Sequence, residues 1–123
     1  MKIREAIENI KTTRPSQYSD QQLMAWLSEL DGQVWEDLMA KYGAPAPFLP
    51  YRRTQLEMEM LIPFPHDQIY INYLMAKIDF SNAEFERYNN EMMLYNAQLQ
   101  AFYDAWTRTH RTKPVRIQGV KAL

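Results

Sequence analysis

The chain has 123 residues, no cysteine, 14 Lys and Arg against 15 Asp and Glu, and three Trp, eight Tyr and five Phe. This length suits one domain. The aromatic content excludes a disordered chain, and the missing thiols exclude a disulfide framework, a cysteine nucleophile and thiolate zinc sites. A net charge of −1 is too weak a field for sequence-independent nucleic-acid binding by the whole molecule, and no run of about 18 apolar residues exists to span a bilayer.

The opening Met1–Ala6 turns acidic at once and lacks the apolar core of a secretory signal, so a soluble protein is expected. Ile3, Ala6, Ile7 and Ile10 fall at helical spacing and predict a short amphipathic helix over 2–11, broken at Thr12–Ser16 by Pro15. Ser19 and Gln22 fit a capping box. Leu23, Trp26, Leu27, Leu30, Val34 and Leu38 then form one stripe, giving a helix to about Tyr42 that stops at Gly43. Asp31-Gly32 is a potential break, but the stripe keeps phase across it and favours one helix.

Pro45, Pro47 and Pro50 make 43–53 an extended loop. Leu56, Met58, Met60 and Ile62 then alternate with Gln55, Glu57, Glu59 and Leu61, which predicts a half-buried strand over 55–62. A single strand leaves its backbone groups unpaired, so its partner must be another segment of the chain or another copy. Pro63–Asp67 ends the strand, with Asp67 as the expected cap of the next helix. Residues 69–80 are apolar nearly all round, as in a helix buried centrally or against a neighbouring subunit.

Ser81–Glu84 offers a second capping box, where a new helix begins unless the first simply continues. Phe85, Tyr88, Met92, Tyr95, Leu99, Phe102 and Trp106 alternate spacings of three and four, the seam of a helix of about 25 residues and about 37 Å. That seam reads as core rather than as a cofactor box. From 108 on there are five basic residues, Arg108, Arg111, Lys113, Arg116 and Lys121, and no acid, which leaves −6 on the rest. The expected fold class is mainly α: a helical bundle over 1–107 with one long C-terminal helix, a Pro-rich loop and short β element at 44–65, and an extended basic tail over 108–123.

Little in the sequence carries chemistry. His66 and His110 have no Ser or carboxylate pattern around them and read as surface histidines. Glu57 and Glu59 would share one strand face, where paired carboxylates can hold a cation, but a solvated face is the simpler reading. No nucleotide, metalloprotease or serine-hydrolase motif occurs, so no catalytic, cofactor-binding or metal-ligating residue is assigned, and no cofactor is expected. The tail is either a solvated terminus or a docking segment: 114–120 could pair with a sheet edge, and its charge could meet phosphates or an acidic surface. A lone strand, an all-round apolar helix, a Pro-rich loop and a tail would all be completed by neighbours in an assembly. Leu56, Met58, Met60, Ile62 and Phe64 are therefore expected to make inter-subunit contacts.

Longer stretches carry a resemblance. Tyr18-Ser19-Asp20-Gln21-Gln22 leading to Trp26-Leu27-Ser28-Glu29-Leu30-Asp31-Gly32 resembles the opening of small phage and prophage structural proteins of head–tail gene modules. So do Leu61-Ile62-Pro63 with Tyr70-Ile71-Asn72-Tyr73-Leu74 and Ile78-Asp79-Phe80, then Glu84-Phe85-Glu86-Arg87-Tyr88-Asn89-Asn90 and Thr107-Arg108-Thr109-His110. These stretches cover most of 17–113, and none is a catalytic signature.

The chain is thus similar to head–tail connectors, also called adaptors or head-completion proteins. The resemblance implies a non-enzymatic, mostly helical virion protein, in the host cytoplasm during assembly, that joins a homo-oligomeric ring, commonly twelvefold, around a DNA channel beneath the portal. It implies a subunit that can be monomeric before assembly, with the portal protein and the next neck or tail protein as partners, non-specific DNA contact in the channel and no membrane. Under it, Arg108, Arg111, Lys113, Arg116 and Lys121 would face the portal or DNA, although nothing past Lys113 matches the family. The alternatives are a small cytoplasmic helical protein-binding module, such as a regulator or anti-host factor, and a tail-completion protein.

Overall fold

The computed structural model describes residues 1–44 and 46–118, with side chains up to His110. Four helices make the fold: α1 Ile3–Thr13, α2 Asp20–Val34, α3 Ile69–Ser81 and α4 Phe85–Gln118. No helix is long and apolar enough to cross a membrane among the described residues.

Helix α1 buries Ile3, Ala6, Ile7 and Ile10, the four residues of its apolar spacing. Ser19 caps α2 by accepting a hydrogen bond from the Gln22 amide at 3.1 Å; that is the forward half of the capping box. Gly32 does not split α2; it lies in the helix facing the ring of Phe48. Beyond Val34 the chain keeps turning through a π turn, Trp35–Met39, and a 3-10 turn, Ala40–Tyr42. It stops at Gly43, whose φ of 97° is the left-handed conformation that a glycine cap supplies without steric cost.

Helix α3 touches all three other helices and is the centre of the molecule. Its composition requires this, since Ile69, Tyr70, Ile71, Leu74, Ala76 and Ile78 are buried around its circumference. Asp67 does not cap it; the residue before it, Gln68, makes no side-chain cap either, and Asp67 lies 3.3 Å from the Met1 ammonium instead. Helices α3 and α4 are separate. Asn82, Ala83 and Glu84 form a tight corner with Ala83 left-handed at φ 61°, and Ser81 is the last residue of α3 rather than a cap.

The two helices run antiparallel, as the pairs Asn72–Gln98, Tyr73–Tyr95 and Phe80–Tyr88 show. The α4 seam is graded: Tyr95 and Phe102 are buried, Tyr88, Met92, Leu99 and Trp106 are half-buried, and Phe85 is exposed at the start. Further along, α4 leans on the turns that follow α2, where Tyr103 donates to Asp37 at 2.7 Å and Trp106 meets Tyr42 edge-on.

The expected strand is corrected. There is no strand among the described residues: 53–55 is a 3-10 turn, and Lys2 with Glu59 forms one isolated antiparallel bridge. The segment does find a partner, in residues 1–4 of its own chain, through Ile3 N to Met58 O, Arg4 N to Leu56 O and Met60 N to Met1 O at 2.9–3.1 Å. A helix starting at Ile3 ends this pairing after a few residues, which is why no ladder develops. Helix α4 carries the backbone on to Gln118, into the stretch expected to be a tail.

Candidate functional site

The region from 46 to 64 is the most unusual surface of the protein, and its geometry starts from one buried acid. Asp31, on α2, is fully buried and forms no ion pair among the described residues. Its carboxylate accepts from the Tyr70 hydroxyl at 2.6 Å, the Leu61 amide at 3.1 Å and the Tyr51 hydroxyl. Tyr70 in turn accepts from the Ile62 amide at 2.7 Å, and Ser28, one turn before Asp31, accepts from the Tyr51 amide at 2.9 Å. Burial pushes the Asp31 carboxyl above its ordinary value, although the Tyr51, Tyr70 and Leu61 donors oppose the shift. Burial and the adjacent Asp31 charge hold both tyrosine hydroxyls protonated well beyond the usual range.

Those bonds clamp both ends of the segment 51–62 to α2 and α3, and residues 52–54 and 56–59 between them are exposed to solvent. Leu49 and Phe64 are 72% and 84% exposed, and Leu56 and Met58 are exposed as well. A groove of about 400 Å³ runs beneath, lined by Trp35, Pro47, Phe48, Leu49, Tyr51 and Met58 among others. On the other side of Phe48 it meets a larger depression of about 640 Å³ that includes Glu36 and Asp37.

Of the five expected contact residues, Leu56, Met58 and Phe64 are on the surface. Met60 and Ile62 are not: at 6% and 0% exposure they belong to the chain's own core. The alternation is sound chemistry, but the segment crosses from surface to core along its length, so one face is not uniformly outward.

Glu57 and Glu59 do not form a cation site. Glu57 takes the Arg4 Nε at 2.5 Å and the Lys2 Nζ at 3.4 Å, and Glu59 takes the Met1 ammonium at 3.1 Å. The Arg4 hydrogen bond holds the Glu57 carboxyl below its ordinary value. No group of three or more His, Asp or Glu fit to hold a metal ion occurs among the described residues.

His66 packs on Phe102 and His110 stacks on Trp106 at 3.6 Å, with its Nδ1 2.8 Å from the Trp106 carbonyl. Arg108 is exposed on α4. Arg111, Lys113 and Arg116 are on the same helical backbone, but their side chains lie outside the described residues, as does Lys121 entirely.

A second polar cluster escaped the sequence reading. Arg14, at the end of α1, bridges Asp79 of α3 and Glu91 of α4, the latter at 3.0 Å. Burial and the hydrogen bond with Asp79 push the Glu91 carboxyl up to about 7, against the pull of Arg14. Burial acts on Asp79 too, but hydrogen bonds from Glu91 and Arg14 bring it below its ordinary value. Of the two carboxyls, Glu91 is the one that keeps its proton to the higher pH. The signal was present in Asp79, a carboxylate inside an apolar helix that requires a buried cation. Compared with known proteins, the chain matches no protein-family model, no curated protein and no solved structure.

Proposed function

We propose that this chain is a non-enzymatic virion structural subunit, a head–tail connector that joins a homo-oligomeric ring at the portal vertex of a tailed phage or prophage. The observation that supports this reading best is the clamped segment, with Leu49, Met58 and Phe64 exposed on backbone held by Asp31, Ser28 and Tyr70. Apolar side chains presented on ordered backbone bind a partner with little further loss of conformational entropy.

A ring requires two different surfaces on each subunit. A second exposed apolar set, Phe80 and Phe85, stands at the α3–α4 corner, separate from the loop. The likeness of residues 17–113 to head–tail connectors points the same way, and the basic stretch from Arg108 would meet the portal or channel DNA.

Mass spectrometry of gradient-purified particles from the source strain tests the reading. A few to about a dozen copies per particle, by ratio to the major capsid protein, is the expected result. Absence from particles while the protein is abundant in the lysate would overturn it in favour of a helical module that binds a host protein. Phe64→Asp and Leu49→Asp, both on the surface, should leave the helical subunit intact and abolish infectious particles.

A further inference from the structure

Helix α4 has a second face. Between Arg87 and Asp104 its sole charged residue is Glu91, which turns inward to Arg14, so about four turns of exposed helix carry no charge. On that outer side Glu86, Asn90, Met93, Ala97, Ala101, Asp104 and Arg108 follow at steps of four, three, four, four, three and four, inside an arc of about 80°. All seven are exposed, Met93 to 73%, and neither Glu86 nor Arg108 has an ion-pair partner among the described residues.

The order of these residues is self-complementary about Ala97. We infer that two copies of the chain pair through the outer face of α4, antiparallel, with Ala97 on the two-fold axis. In that arrangement Glu86 meets Arg108 twice. The Asn90 amide donates to Asp104, and Met93 fills the space above Ala101. The two Ala97 side chains allow the axes to approach to about 8 Å. A parallel pair would instead set Glu86 on Glu86 and Arg108 on Arg108, so charge selects the antiparallel form. The contact runs about 33 Å along each helix, and a two-fold pair is closed, so it stops at the dimer. This pairing does not rest on the connector reading.

Sedimentation equilibrium of the full chain, with circular dichroism to check folding, decides it. The wild-type chain should show a concentration-dependent dimer, and Ala97→Glu, which sets two like charges on the axis, should be monomeric. Glu86→Arg and Arg108→Glu alone should each weaken the dimer by about tenfold, and the two together should restore it. In this cysteine-free chain, Ala97→Cys should cross-link under mild oxidation while Gln21→Cys, on α2, does not. A monomeric wild type, a dimer indifferent to Ala97→Glu, or a double variant no tighter than the weaker single would overturn the pairing. A monomer that is nonetheless found in particles would overturn this inference and leave the connector reading standing.

Discussion

Asp31 and Asp79 are two buried carboxylates held by opposite means. Asp31 is surrounded by neutral donors, two tyrosine hydroxyls and one amide; Asp79 sits against the guanidinium of Arg14, which also holds Glu91. The first arrangement ties a loop to the body without neutralising the charge. The second ties three helices together by neutralising it. Hydrogen bonds orient what they hold, whereas an ion pair tolerates exchange of one cation for another, so the two sites should fail differently.

The largest effect is expected at the loop. Asp31→Ala leaves the Tyr51 hydroxyl, the Tyr70 hydroxyl and the Leu61 amide without their acceptor and should cost about 3 kcal/mol. It should also release 51–62, so limited trypsin digestion should open new cuts after Arg52 and Arg53 before the helices are attacked. Equal resistance to trypsin in both proteins would mean that the clamp is dispensable.

Arg14→Ala should cost about 2 kcal/mol in chemical denaturation, because Asp79 is left buried. Arg87, whose guanidinium lies 3.8 Å from Asp79, is the nearest replacement cation. The double change Arg14→Ala with Arg87→Ala should therefore cost more than the sum of the two singles. Simple additivity would show that no exchange occurs.

The proton on Glu91 sets the next effect. Its folded value of about 7 is above its ordinary 4.5, so between those values the folded protein binds the extra proton and stability falls as pH rises. Asp79 acts oppositely and lower down: its contribution is present above 3.8 and is lost as pH falls through its depressed folded value. Asp31, raised from 3.8, acts in the same sense as Glu91. Glu91→Gln should thus reduce the loss of thermal stability between about pH 4.5 and about pH 7. An unchanged slope would remove Glu91 from the account.

The smallest effect is at the corner beside Asp79. Ala83 has a left-handed φ that costs an L-residue energy and a glycine none, so Ala83→Gly should raise stability by about 0.5 kcal/mol. Ala83→Val should lower it.

Periodicity made α1, α2 and α4 legible because each apolar stripe belongs to one helix and packs locally, and α3 was legible from being apolar nearly all round. Ile3 to Ile10, Leu23 to Leu38 and the α4 seam from Met92 to Trp106 face the core that their spacing implies. The 55–62 segment was read only in part, because its partner, residues 1–4, is distant in sequence and itself turns helical at once. The apolar stripe carried the helix across Asp31-Gly32, but nothing local announces that the acid is the anchor of a loop some 20–30 residues away. The Arg14, Asp79 and Glu91 cluster is hidden for the same reason: three helices must assemble before it exists.

The central place of α3 has a consequence for how the protein is made. Its shelter comes from α1 and α2 before it in the chain and from α4 after it. Helices α1 and α2 leave the exit tunnel before α3, and α4 leaves it last, so there is an interval in which α3 is out and α4 is not. During that interval the most apolar helix of the protein lies open along one side, in a form prone to aggregate. A chain truncated after Asn90 should therefore bind a hydrophobic-segment chaperone, and the full chain should not.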